Sequence, residues 1–425
     1  MSPHSIGANK VLPTKLDRIE RRARESGSNT FNNLGHVLDL ELLRESYGRL
    51  DGSKAVGIDG MTKEKYGENL EERLQALLRK IRQGSYRPRA SRIVEIPKAD
   101  GSKRPLAIAC LEDKIVQEAA REIVERIFEP RFKDCSYGFR PNRNAHMALA
   151  ALENHLRDGR NCRALLDIDL RQYFDSIPHR QLIQILETKV KDERFLRLIV
   201  KLLKAPTLAA SGQEIANEIG SPQGSILSPL MGNIYLHYVL DQWFEKANVA
   251  HFGSQARMVR YADDVVFTFA SSAQAQAAKV LITERLAVGG LMVNETKTHI
   301  IGYHGSLGAY LKSPKFLDDL SKVDPKAAAK QLPKLKQLAK KEAEFFADAG
   351  VSQNLFIRTQ IENDGGLYDV YFPGPQAFLR YGIRNLVGVQ DLGLMRSMRD
   401  RNGIKIFYED SSGSTEGTPE SSGYR

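Results

Sequence analysis

Apolar and polar positions set out several short strands and longer helices along this chain. Leu165-Leu166-Asp167-Ile168-Asp169-Leu170 alternates in the manner of a strand, with Asp167 and Asp169 on one face. Met258-Val259 and Val265 to Phe269 flank a short polar break at Asp263-Asp264, which predicts a hairpin with the acids at or beside its turn. A second hairpin is predicted from Arg92–Lys98 and Arg104–Ile108 around Asp100-Gly101. Helical spacing runs from Glu112 to Phe128, with Ile115-Val116, Ala119-Ala120, Ile123-Val124 and Ile127 on one side. Amphipathic helices are also expected over Tyr66–Ile81 and Ala273–Leu286, and a basic one over Arg18–Arg24. Ser228 as N-cap and Pro229 at the first helical position should open a helix that presents Met231, Tyr235, Val239 and Trp243 on one face. Strands and helices mixed in this way indicate an α+β fold.

Composition narrows the class. At 425 residues the chain can form two or three domains with real cores, and 42% hydrophobic with 27% charged residues is ordinary for a soluble globular protein. A net charge of +10 favours a polyanionic partner, with nucleic acid ahead of an acidic membrane surface. No run of about 18 apolar residues is present, so no membrane span is expected. Met1–Lys10 lacks the apolar stretch of a secretory signal. Cys110, Cys135 and Cys162 are isolated, which fits a reducing bacterial cytoplasm and excludes a Cys-rich zinc module. Lysines from Lys312 to Lys341 stud a mainly helical region, and Ser411–Arg425 has the composition of a disordered tail.

The acids supply the candidate chemistry. Asp263 and Asp264 repel each other unless a cation neutralises them. Taken alone the pair reads as a solvated turn, but Asp167 and Asp169 form a second acid motif upstream, on a strand that would bury them only for a reason. Three carboxylates from two strands can hold two Mg²⁺ about 3.5–4 Å apart, the arrangement that handles in-line phosphoryl transfer.

Several ordered blocks then resemble one family. They are Asp113-Lys114 with Ser136-Tyr137-Gly138-Phe139-Arg140-Pro141, Asp167–Asp175, Ser221-Pro222-Gln223-Gly224 with Leu227-Ser228-Pro229, and Tyr261-Ala262-Asp263-Asp264. Over about residues 50–305 the chain resembles bacterial group II intron-like reverse transcriptases. Ser225-Ile226 departs from the Gly-Pro commoner there. The resemblance implies a right-hand polymerase: an N-terminal extension (1–50), fingers (51–160), a palm of antiparallel sheet plus helices (161–305), a basic helical thumb (306–400) and a tail (401–425). It implies an RNA-directed DNA polymerase that extends a DNA or RNA primer with dNTPs on an RNA template, using two Mg²⁺ or substituting Mn²⁺.

Asp169, Asp263 and Asp264 would be the catalytic metal ligands, with Asp167 behind them. Phe174, five residues after Asp169, matches the aromatic that excludes a 2′-hydroxyl. Lys98, Arg104, Gln223 and Lys297 would attend the nucleotide. Arg140, Arg143 and Tyr261 would contact template or primer, although the aromatics beside the two arginines suit packing equally well. The biological setting is either intron mobility, with intron RNA as partner, or anti-phage defence with a dedicated non-coding RNA. The alternative is an RNA-binding maturase or scaffold with an unused palm.

Overall fold

A computed structural model of the protein describes residues 14–26, 29–97, 103–157, 162–208, 213–302, 358–363 and 366–371. Lys98, the Lys312–Lys341 stretch and the 401–425 tail lie outside the described residues. The chain passes back and forth between two compact units. One comprises residues 1–143, 170–251 and 280–294, and the other residues 144–169, 252–279 and 295–425. Helices and sheets mix in both, as an α+β fold requires. In chain order the strands are β1 (Ser91–Pro97), β2 (Lys103–Ile108), β3 (Ala164–Ile168), β4 (Thr207–Leu208), β5 (Glu214–Ile215), β6 (Arg257–Tyr261), β7 (Asp264–Phe269), β8 (His299–Gly302), β9 (Arg358–Asn363) and β10 (Gly366–Tyr371).

The first unit is organised around helix Leu111–Phe128. Its apolar positions are so numerous that Ile115, Val116, Ala119, Ala120, Ile123 and Ile127 are wholly buried. A helix apolar on most sides must be covered on most sides. Helices Lys15–Glu25, Leu40–Arg49, Glu193–Leu203 and Ser228–Leu236 all pack on it. The acids it buries are compensated, since Arg121 bridges Glu118 and Glu125 at 2.8 Å each. The β1–β2 hairpin forms as expected, with Glu95 opposite Pro105. It extends into a four-stranded sheet, β2-β1-β4-β5, through a parallel pairing of β1 with β4.

Two helix expectations in this unit are corrected. Leu227, not Ser228, is the N-cap of helix Ser228–Leu236. The Ser228 hydroxyl instead donates to the Pro222 carbonyl at 2.9 Å and meets the Ser221 hydroxyl at 2.6 Å. The four-residue periodicity also fails after Val239. A π turn at His237–Asp241 joins Ser228–Leu236 to Gln242–Phe252. Widening one turn shifts the helical register, so Phe244 is buried where Trp243 was expected and Trp243 is only half-buried.

The second unit holds an antiparallel sheet in the order β6-β7-β3-β8. Every residue of β3 is buried, as befits a central strand covered on both faces. Helix Ala145–Arg157 packs on β6, and the rings of Phe252 and Phe269 meet edge-on at 5.3 Å. Strands β9 and β10 pair antiparallel, so the described part of the region expected to be helical is a hairpin.

Candidate active site

The hairpin register fixes where the acids lie. Tyr261 pairs with Asp264, leaving Ala262 and Asp263 as a two-residue turn between β6 and β7. Ala262 takes φ +59, a conformation that disfavours any side chain. The turn is secured from below by Arg260. This fully buried side chain donates from Nη1 to the Ala262 carbonyl at 2.9 Å. β3 pairs antiparallel with β7, ending at Ile168 opposite Val265. Asp169 follows directly at this end of β3, and Asp264 is the first residue of β7 at the same end of the sheet. The backbone amide of Asp169 donates to the Thr298 hydroxyl at 3.2 Å, so the segment entering β8 also holds this corner.

Three carboxylates from two distant segments thus share one end of one sheet. Asp169 is buried, while Asp263 and Asp264 are half-buried. Asp167 lies two residues back on the same face of β3 and is buried. Among the described residues no three acidic, histidine or cysteine side chains form a ready-made metal cage. The donor set nevertheless fits Mg²⁺, a hard cation that protein sites bind through one or two carboxylates plus water and substrate phosphate. Tyr261 is half-buried beside the turn, and Lys297 is exposed on the approach to β8.

Phe174 and Gln223 belong to the first unit, where a separate constellation forms. Phe174 lies in the short helix Tyr173–Ser176, half-buried, with its ring 5.1 Å from that of Tyr173. Both rings abut Gly232, where an added Cβ would come within 3.1 Å of each. The loop from Gly220 to Gly224 is fastened to this helix, because Ser221 N donates to the Phe174 carbonyl at 2.7 Å. Gly220 has φ +85, and a Cβ there would meet the Asp175 backbone at 2.7 Å. On its other side the loop is tied to β2, with Ala107 N donating to the Gln223 carbonyl at 2.7 Å. The Gln223 side chain donates from Nε2 to Asp175 Oδ2 at 3.1 Å. Partial desolvation holds the Asp175 carboxyl above the ordinary carboxylate range, while the Gln223 hydrogen bond opposes that shift. Arg104 is a residue of β2, three positions before Ala107.

The two arginines expected at the template differ. Arg140 is buried and fully engaged within its own unit. Its Nη2 and Nε reach Glu129 at 2.7 and 3.1 Å, and Nη1 donates to the Lys133 and Ser136 carbonyls at 2.9 Å. The guanidinium also lies 5.1 Å from the Phe132 ring. Four of its five N–H groups are thus engaged, and Arg140 braces the loop within its own unit. Arg143 pairs with the exposed Asp134 at 2.6 Å and stacks on Tyr137 at 5.3 Å. Phe139 between them is 56% exposed with φ +54. Sequence reasoning missed Arg260, Thr298 and Asp175. Only Arg260 carried a signal, as a cation two residues before the hairpin turn that holds the paired acids.

Residues 96–337, more than half of the chain, match the family described as reverse transcriptase (RNA-dependent DNA polymerase). The chain is 36% identical over 224 residues to the group II intron-encoded protein LtrA of Lactococcus lactis subsp. cremoris, covering 52% of this chain and 37% of that one. It is 38% identical over 188 residues to protein YkfC of Escherichia coli K12, covering 44% and 49% respectively. An uncharacterized 91 kDa protein in the cob intron of Schizosaccharomyces pombe is 33% identical over 242 residues, covering 56% and 29%. The chain therefore spans half or less of the length of these relatives. It belongs to the reverse transcriptase (RNA-dependent DNA polymerase) family, and its similarity is to the group II intron-encoded branch.

Proposed function

We propose that this chain is an RNA-directed DNA polymerase that adds deoxynucleotides to a primer 3′-hydroxyl on an RNA template. The observation that carries the reading is the meeting of Asp169 with the Asp263–Asp264 turn at one end of the β6-β7-β3-β8 sheet. Separated by more than ninety residues, these acids have no structural reason to converge that an apolar pair would not serve better. They would hold Mg²⁺, which when bound activates the attacking hydroxyl and neutralises the leaving pyrophosphate.

The protein's own groups supply positioning and selection. Arg260 and Thr298 keep the acids in register. Phe174, wedged against Tyr173 and Gly232, offers a ring edge that a 2′-hydroxyl would strike, which selects deoxyribose. Gln223 sits in a loop too tightly tied to retreat from a bound nucleotide. Lys98, Arg104 and Lys297 would neutralise the triphosphate, and Arg143 and Tyr261 would contact template or primer. In this reading residues 51–160 act as fingers, 161–305 as palm and 306–400 as thumb. The partner is either intron RNA or a dedicated non-coding RNA, and the similarity to LtrA favours the first.

Primer extension on poly(rA)·oligo(dT) with Mg²⁺ tests the proposal. Incorporation of dTTP in strong preference to UTP is the expected result. A folded protein that binds RNA but incorporates neither nucleotide would point instead to a maturase or scaffold role, and a preference for UTP to an RNA polymerase.

A further inference from the structure

We infer that Arg285 is a positioning residue for sugar selection: from the last turn of helix Ser272–Val288 it clamps the π turn at His237–Asp241 and so steadies the short segment that presents the Phe174 ring. The inference deepens the polymerase reading above and rests on it.

Where a helix returns from five-residue to four-residue hydrogen bonding, one carbonyl is passed over. Arg285 supplies donors at this place. Its Nε reaches the Val239 carbonyl at 2.7 Å and its Nη2 the Tyr238 carbonyl at 3.4 Å. Two further contacts tie the same pair of helices. The buried Tyr235 hydroxyl donates to the Gly289 carbonyl at 2.5 Å, and burial keeps it a donor by pushing the phenol up to about 12. Gly289 itself lies so close that an added Cβ would meet Val239 Cγ1 at 2.6 Å.

Both tied elements also grip the segment around Phe174, and all of these residues belong to the first unit. On one side the Tyr173 hydroxyl donates to the Gly232 carbonyl at 2.6 Å, beside the Phe174 ring that Gly232 abuts. On the other, Arg171 N donates to the Met292 carbonyl at 2.8 Å and Leu170 pairs with Val293. Gly290 completes that grip, since an added Cβ would come within 2.7 Å of Pro178. The contacts close a ring: helix Ser228–Leu236 to the Phe174 segment, that segment to the 289–293 connection, and the connection back to the helix. Arg285 fastens the side that does not touch Phe174. With that side open, the ring of Phe174 can give way to a 2′-hydroxyl.

The test is primer extension on poly(rA)·oligo(dT) with dTTP or UTP, at a temperature where every variant is folded. The proteins are wild type, Arg285→Met, Arg285→Lys, Tyr235→Phe, Phe174→Ala and the Arg285→Met/Phe174→Ala double variant. In Arg285→Met the preference for dTTP over UTP should fall roughly 3- to 10-fold. Arg285→Lys, with one donor nitrogen in place of two, should regain part of it, and Tyr235→Phe should shift it in the same direction. In the Phe174→Ala background the Arg285 change should alter the preference by less than about twofold. A role confined to stability would lower the melting temperature and leave the preference unchanged. That result, or a full Arg285 effect that persists without Phe174, overturns the inference. An inactive wild-type chain defeats the polymerase reading separately. Hydrogen exchange then decides: amides of residues 170–176 that exchange at least about threefold faster in Arg285→Met, with β1 and β2 unaffected, support the inference. Unchanged exchange there, or equal acceleration in both regions, refutes it.

Discussion

Replacing Arg140 with alanine should unfold this protein more readily while acting on nucleic acid only indirectly. The side chain is 7% exposed and donates to both Glu129 oxygens and to the Lys133 and Ser136 carbonyls. Truncation leaves a carboxylate and two carbonyls facing a cavity. Removing one partner of a buried ion pair costs about 3–5 kcal/mol. Glu129 keeps 18% of its side chain exposed and can be rehydrated, which favours the lower end of that range. A loss of about 3 kcal/mol corresponds to a fall in melting temperature of roughly 6–12 °C, taking about 2–4 °C per kcal/mol for a folding unit of about 150–250 residues. Arg140→Lys retains the charge without the fork that reaches both Glu129 oxygens, so it should recover about half of the loss. Urea unfolding followed by tryptophan fluorescence, beside RNA binding at a temperature where both variants are folded, measures the two effects. Unchanged unfolding with weakened RNA binding would refute the reasoning, since it would mean that the guanidinium faces nucleic acid.

Other positions give independent expectations. Phe174→Ala should open the 2′ side of the nucleotide site and improve UTP use relative to dTTP by roughly 10- to 100-fold, read by competitive primer extension. Gly232→Ala places a methyl 3.1 Å from the Phe174 and Tyr173 rings, and should cost about 1–3 kcal/mol in unfolding experiments while disturbing the same nucleotide selectivity. Asp113, buried beneath the Tyr86 hydroxyl and the Arg89 amide, has its carboxyl pushed by burial from 3.8 to about 6. The folded protein thus holds that proton more tightly than the unfolded chain. Its contribution is greatest below pH 4 and is lost as pH rises through 6, by up to about 3 kcal/mol. The stability difference between wild type and the non-titrating Asp113→Asn should shrink by about 1.4 kcal/mol between pH 5 and 7.5, the part of the linkage that falls in that window. A difference independent of pH would contradict the assignment.

The elements that sequence made legible are those whose burial has a simple period. β3, β6 and β7 alternate or run apolar, and Leu111–Phe128 repeats its small and branched residues at helical spacing, so each declared itself. The convergence of Asp169 with Asp263 and Asp264 was legible only through resemblance, because no local pattern states which strand will pair with which. Other features leave no local trace. The π turn at His237–Asp241 follows from packing rather than from any residue that forces it, and so the face expected to end at Trp243 ends at Phe244. Strands of two residues, β4 and β5, are too short for alternation to register. An arginine beside aromatics looks the same whether it turns outward, as was expected of Arg140, or inward onto Glu129 as it does. Asp175 was quoted within its motif, but its significance depends on a loop some fifty residues away.

The central claim is that carboxylates from β3 and from the β6–β7 turn act on one reaction. Pre-steady-state dTTP incorporation by Asp169→Asn and by Asp264→Asn, each verified as folded by its unfolding curve, tests it most directly. The account predicts that either substitution alone lowers the rate by a factor on the order of a thousand or more, and that combining them adds little, as for groups serving one site. Retention of near wild-type incorporation by either variant would contradict it.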